Sequence, residues 1–339
     1  MSWTPWLQTV NCCLIFLRRQ FRGAPITELQ LGEYYKKFIP TARIAYAEAS
    51  RIPFYQRRIA QAMSALTYPQ FNQMLQLMSS VNGIPSSGQS EISHQIFMVQ
   101  PTSRSRVEFE IVIPTYYLHS YIQTAYQLTA KAMYNLFLEI PILRASAAYT
   151  FGALVHHAFL AGGEWPIQAM LEDLPDPLNT HFKSPPLTAS VNYLRLAGNQ
   201  GQSCTVAQKP AKSSTTPLAR WDYDDRRMPQ LVDWTYYMPR DEQPTFDSFL
   251  YDSVTSTITL FQMAVGHPHI VDPRGFDWLI TAFPGLQRFR YVLVTPERPA
   301  IMPVIDPTSV DIPFPNGLLA KLRTHAYDLQ VWQLGIHIL

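Results

Sequence analysis

The sequence is short of charge. Of its 339 residues 15% are Asp, Glu, Lys or Arg and 47% are hydrophobic, against about a quarter charged in ordinary globular domains. A chain of this kind buries a real core and is not disordered as a whole, and its length allows two domains of ordinary size. The net charge is +2, and from residue 180 onward acids and bases balance. Binding a polyanion by counterion release requires basic side chains gathered on one face. Bulk charge does not supply that here, so any affinity for nucleic acid is local.

Cysteine is scarce as well. Cys12, Cys13 and Cys204 are an odd number without metal-ligand spacing. That excludes a disulfide framework and fits reduced thiols inside the cell, in nucleus or cytoplasm. Long apolar runs are missing too: Val10 to Leu17 spans eight residues, too few to cross a bilayer. Arg18 and Arg19 follow this run instead of preceding it, the reverse of a secretory signal. No membrane partner is expected. A lysine is absent where a nucleotide would need it: Gly83 to Ser90 matches G-x-x-x-x-G-K-[ST] except that Gln89 stands in the lysine position. A Met-rich helical pattern, not a buried strand, precedes it, so no ATP is expected at this loop. No internal repeat is present.

What is there is periodicity. Residues 34 to 78 carry helical spacing of apolar positions, broken at Pro69, and "NGIPSSGQSEIS" follows as a loop. "HQIFMVQP" and "VEFEIVIPT" read as strands, and one long helix is expected from Tyr117 to Glu139. "RASAAYTFGALVHHAFLAGGEW" is a second helix, closed by Gly162-Gly163. Strand-like "ASVNYLRLAG" and "LVDWTYYMPR" flank a Ser, Thr, Pro and Lys segment that reads as a loop insertion. "DPRGFDWLITAF" reads as a short helix with Phe276, Trp278 and Leu279 on its core face, "RFRYVLVTPE" as a buried strand and "AIMPVID" as the last strand. The order predicts an α+β or α/β fold with a mixed sheet.

The stretch "PTFDSFLYDSVTSTITLFQMAVGHPH" reads as two short strands joined by a polar turn, with Asp247 on the first and Gln262-Met263-Ala264 on the second. A four-residue loop, Ser253 to Ser256, sets Asp247 opposite Gln262; a five-residue loop sets it opposite Met263. His267 and His269 follow, with Asp272 beyond. Imidazoles titrate near neutral pH and ligate metals, yet no third ligand stands at a recognisable spacing.

This string, followed by "GFDWL" and "RFRYVLVTPE", resembles the C-terminal region of fungal Crinkler-like and retrotransposon-hot-spot (RHS)-like proteins. The helix "RASAAYTFGALVHHAFLAGGEW" resembles the one before it, where the family shows G-[YW]-x-[FL]-E-x-x-x-H and a Gly-Gly end. The likeness runs over residues 144 to 306 and, more loosely, 42 to 139. It implies a nuclease domain of the restriction-endonuclease or PD-(D/E)xK superfamily, which in full-length members follows a P-loop ATPase and its helical lid. The domains expected are a mainly helical lid-like remnant at 1–140, a restriction-endonuclease-like mixed-sheet domain at 141–310 with a loop insertion at 203–219, and a C-terminal tail at 311–339.

Residue by residue, the resemblance assigns Asp247 as the first acid and Gln262 as the second metal-binding position. It sets Ala264 in the place of the lysine, Gly152 in that of a helical glutamate, and His267 or His269 in that of a histidine after the second strand. One of His156 and His157 matches the family's helical histidine and is expected to be packed and hydrogen-bonded. Arg274, Arg288 and Arg290 are the expected contacts to nucleic-acid phosphates. One carboxylate among four positions makes a poor cage for Mg²⁺ or Mn²⁺. The expectation is therefore a non-catalytic, degenerate nuclease-fold protein without a cofactor, binding DNA or full-length members of the family. The alternative is an active metal-dependent DNase using Asp247 and Gln262 with Mg²⁺ or Mn²⁺.

Overall fold

The computed structural model describes residues 26–38, 42–79, 95–101, 109–173, 176–184, 190–198, 204–210, 216–224, 229–240, 243, 245–265, 271–296, 311–325 and 327–336. It is an α+β protein with a helical N-terminal region and a large mixed sheet. The chain divides into two compact units at Thr150/Phe151, ten residues beyond the boundary expected from sequence and inside a helix. The near-match to a phosphate loop and the "AIMPVID" strand lie outside the described residues, as do His267, His269 and the Val10–Leu17 run. Among the described residues no helix is long and apolar enough to cross a membrane.

The first unit holds helices α1 (Glu28–Lys37), α2 (Ala42–Glu48), α3 (Ile52–Ser64) and α4 (Tyr68–Ser79), the antiparallel pair β1 (Met98–Pro101) and β2 (Phe109–Val112), and helices α5 (Tyr116–Ala125) and α6 (Ala130–Glu139). Sequence predicts one helix from 117 to 139, and the structure has two. Gln127 takes a left-handed φ of 52°, and the Thr129 side chain accepts the Ala132 N–H at 3.1 Å, starting α6 afresh. The apolar spacing runs on through the break, which is why periodicity alone misses it. Tyr34, Phe38 and Tyr55 are fully buried and form an aromatic cluster in this unit. His119 is also buried, with Nε2 2.7 Å from the Thr150 hydroxyl.

Helix α7 (Arg144–Ala161) carries the unit boundary and ends at Gly162, whose φ of 74° suits a residue without a Cβ. In the second unit β3 (Gly163–Ala169), β4 (Leu171–Glu172), β5 (Asn179–Lys183), β6 (Asn192–Leu196), β7 (Cys204–Ala207), β8 (Ala219–Tyr223), β9 (Thr235–Pro239), β10 (Ser248–Asp252) and β11 (Thr257–Met263) come next. Helix α8 (Pro273–Ala282), β12 (Arg288–Pro296), β13 (Asp311–Pro315), helix α9 (Asn316–Thr324) and β14 (Asp328–Ile336) complete it. Nine strands form one sheet in the order β7-β6-β3-β14-β12-β11-β10-β9-β8, and β13-β5-β4 form a second. The pairs β11–β12, β12–β14 and β8–β9 are parallel. The central parallel strand β12 is buried on both faces and accordingly reads as the apolar run "RFRYVLVTP".

Two expectations need correction. The described residues of the 311–339 segment are not an appended tail: β14 lies between β12 and β3, inside the sheet, with Val331, Leu334 and Ile336 buried. The segment 203–219 is not purely a loop insertion either, because β7 pairs with β6 from Tyr193↔Ala207 to Leu196↔Cys204. Strand β14 is made by partners remote in sequence, whereas β7 pairs with the strand just before it inside a stretch whose Ser, Thr, Pro and Lys composition reads as loop.

Helix α8 crosses between the parallel strands β11 and β12 and packs Phe276 against Phe289 and Tyr291. Its first turn comes so close to Thr245 that a Cβ on Gly275 would stand 2.3 Å from the Thr245 Oγ1. Phe276 and Leu279 belong to the core, with Trp278 partly buried against it.

Candidate functional site

The site is built on the β10–β11 hairpin. Its turn has four residues, 253–256, with Ser256 at φ 48°. The buried Asp252 carboxylate holds it, accepting from the Val254 N–H at 3.0 Å and the Thr255 hydroxyl at 2.9 Å. The ladder runs from Asp252↔Thr257 to Ser248↔Phe261, the register of the four-residue alternative. Asp247 immediately precedes the paired residues of β10. Its own N–H bonds the Phe261 carbonyl at 2.8 Å, and its Oδ2 accepts the Met263 N–H at 2.6 Å. The acid thus closes the end of the ladder with its side chain.

Gln262 is 9% exposed, and its amide oxygen accepts the hydroxyl of Tyr291. That hydroxyl also lies 3.2 Å from the Thr245 carbonyl. Tyr291 is fully buried, and burial first, then the negative charge of Asp247, raises its pKa well above the ordinary phenol value. It is a neutral donor at any physiological pH. Ala264 is buried, and its N–H continues the sheet to Val294 at 2.9 Å. Gly152 leaves open space: a Cβ built there meets nothing within 4 Å.

A second polar chain joins α7 to the sheet. His156 Nδ1 lies 2.8 Å from the Tyr236 hydroxyl, which lies 2.6 Å from Ser248 Oγ. Burial, and then the Arg220 charge, lower the His156 pKa to about 4, so the ring is neutral at pH 7. His156 is a packed, hydrogen-bonded side chain, while His157 is exposed.

The structure brings Asp247 and Gln262 together and separates them from two of the three arginines. Strand β12 runs parallel to β11 with Thr257↔Arg288 and Gln262↔Leu293. Arg288 therefore sits at the hairpin-turn end, five positions from Leu293, roughly 16 Å along a strand. It faces Asp328 at 3.6 Å. Arg290 donates from Nη1 to Thr259 Oγ1 at 3.2 Å. Parallel strand direction thus puts Arg288 and Arg290 toward the hairpin-turn end of β12 and not beside Gln262. Arg274 lies at the start of α8, ion-paired with Asp272 at 2.5 Å. Asp272 caps that helix through the Arg274 N–H at 2.9 Å, and its pKa is lowered chiefly by that arginine.

Sequence reasoning misses Tyr291, Tyr236, Ser248 and Thr245. The one available signal is a tyrosine inside the apolar run "RFRYVLVTPE", since a buried phenol requires a partner.

A divalent ion of the kind the resemblance implies does not fit this donor set. Hard cations take carboxylate, carbonyl and water oxygens. Here one carboxylate has Oδ2 engaged by a backbone N–H, the neighbouring amide oxygen is engaged by a phenol, and Ala264 and Gly152 offer no donor. Among the described residues no group of three His, Cys, Asp or Glu could hold a metal. Compared with family models, with curated proteins and with solved structures, the chain matches none.

Proposed function

We propose that this chain is a non-catalytic binding protein on a restriction-endonuclease-like scaffold, of Crinkler or RHS type, whose second unit engages DNA or a full-length relative. The observation that carries the reading is the ordered core: α7, then the antiparallel β9, β10 and β11, then α8 crossing to β12 parallel to β11, with Asp247 at the mouth of β10 and Gln262-x-Ala264 on β11. That succession, with an acid and its neighbour on adjacent strands, supports a nuclease ancestry. The neutral groups around the acid support loss of cleavage. Each missing electrostatic contribution to phosphoryl chemistry costs on the order of a hundredfold, and three positions are altered.

The competing reading is an active DNase using Asp247 and Gln262, and the placement of both at the open end of the β10–β11 hairpin is what favours it. An oligonucleotide and plasmid cleavage assay with Mg²⁺ and with Mn²⁺ separates the two. Wild type and Asp247→Ala should both leave DNA uncut, while an electrophoretic shift without metal retains the DNA. Turnover that disappears in Asp247→Ala would establish the DNase reading instead.

A further inference from the structure

One edge of the nine-stranded sheet is β8, and among the described residues no strand pairs with its outer side. An open edge is a template for another strand, and proteins commonly blunt it with short strands, charged side chains or proline. This edge has no proline, and its two charges are opposite and cancel. It reads Ala219-Arg220-Trp221-Asp222-Tyr223, two opposite charges flanking a tryptophan that is 49% exposed.

The phase of its free hydrogen-bonding groups is fixed by the parallel ladder on its inner side. Ala219 N–H donates to the Trp234 carbonyl at 3.0 Å, and the Tyr223 carbonyl accepts the Arg240 N–H at 2.8 Å. Residues 219, 221 and 223 thus turn their backbone polar groups inward, and Arg220 and Asp222 turn theirs outward. A two-fold axis perpendicular to an antiparallel strand pair must pass through a residue position, because paired residues share a sheet face. Three registers keep the outward groups in hydrogen-bonded pairs. Centring on Arg220 opposes two arginines, and centring on Asp222 opposes two aspartates. Centring on Trp221 sets each Arg220 opposite the other copy's Asp222.

We propose that this protein self-associates through β8, antiparallel about a two-fold axis at Trp221. Arg220 and Asp222 of each copy exchange both backbone hydrogen bonds with Asp222 and Arg220 of the other. The two tryptophans meet as the non-hydrogen-bonded pair, where side chains approach closest. Opposite-charge and aromatic cross-strand pairs are both favourable, and like charges directly opposite are not. Within one chain Arg220 Nε already lies 2.9 Å from Asp222 Oδ1, with both side chains well exposed. The charges therefore set register and partner, while the backbone bonds and the tryptophan pair supply affinity. The opposite edge, β7, reads Cys-Thr-Val-Ala and has no charge with which to choose a register. The interface is isologous and short, so the dimer is reversible.

Sedimentation equilibrium of the full chain tests this. Wild type should show a concentration-dependent dimer. Arg220→Asp and Asp222→Arg should each weaken it roughly tenfold to a hundredfold, since each replaces two attractive cross-strand pairs with two repulsive ones. Mixing the two variants should restore a dimer, because an Asp-Trp-Asp strand then meets an Arg-Trp-Arg strand. A wild type that stays monomeric at its solubility limit, a dimer indifferent to either change, or a mixture no tighter than its parts would overturn the proposal. A trap in an otherwise native strand guards against misfolded variants. Under oxidised glutathione, Trp221→Cys should give a disulfide-linked dimer well above both the wild-type background and Val254→Cys, at an exposed turn residue. Failure to exceed them would equally refute the register.

Discussion

Tyr291 carries a hydroxyl into the buried middle of β12 and meets there the Gln262 amide oxygen and the Thr245 carbonyl. The pair explains why Gln262 is tolerated at 9% exposure. Tyr291→Phe leaves the Gln262 amide oxygen without its donor. The expected loss is about 1–3 kcal/mol, the desolvation cost of an unsatisfied buried polar group, seen as a lower midpoint in urea unfolding. An unchanged midpoint would mean that the hydroxyl does not serve Gln262. His119 and His156 give a pH signature of their own. Burial lowers both from 6.5 to about 4, so between these values the unfolded chain binds protons that the folded one does not. Stability is full above pH 6.5 and falls as pH drops toward 4, by about 1–3 kcal/mol for each ring. Urea midpoints measured from pH 7 to 4.5 should decline over that window, and His156→Leu should flatten part of the slope.

Among the elements, the hairpin was the most legible. Its polar turn and flanking strands are local features; the sequence leaves a four-residue and a five-residue turn open, and the structure has the four-residue one, with the ladder ending at Ser248↔Phe261. The position of Tyr291 beside them was not legible, because the sequence does not say which residue of β12 stands diagonal to Gln262 across a parallel pair. The break between α5 and α6 was hidden for a different reason: Thr129 restarts a helix without disturbing the apolar spacing on either side. Strand β14 was missed because "DLQVWQLGI" becomes a strand only between β12 and β3, which lie far away in the chain. A chain ended at residue 326 tests that last assignment. Losing β14 exposes an edge of β12 and separates β3, β6 and β7 from the rest of the sheet. Hydrogen exchange should then lose protection throughout β11 and β12, whereas retained protection there would show β14 to be dispensable.

At the scale of the whole molecule, the second unit combines an ordered α/β core with a candidate site whose polar groups satisfy one another. Asp247 closes a ladder, Gln262 receives a phenol, His156 is neutral and bonded to Tyr236, and Arg288 and Arg290 lie at the opposite end of their strand. Attraction for a divalent ion requires several oxygen donors with charge among them, and this arrangement offers a single carboxylate already in use. The most direct measurement is a calorimetric titration of the full chain with Mn²⁺, beside Asp247→Ala. The account predicts no saturable heat in either protein; one-site uptake by the wild type that vanishes in Asp247→Ala would contradict it.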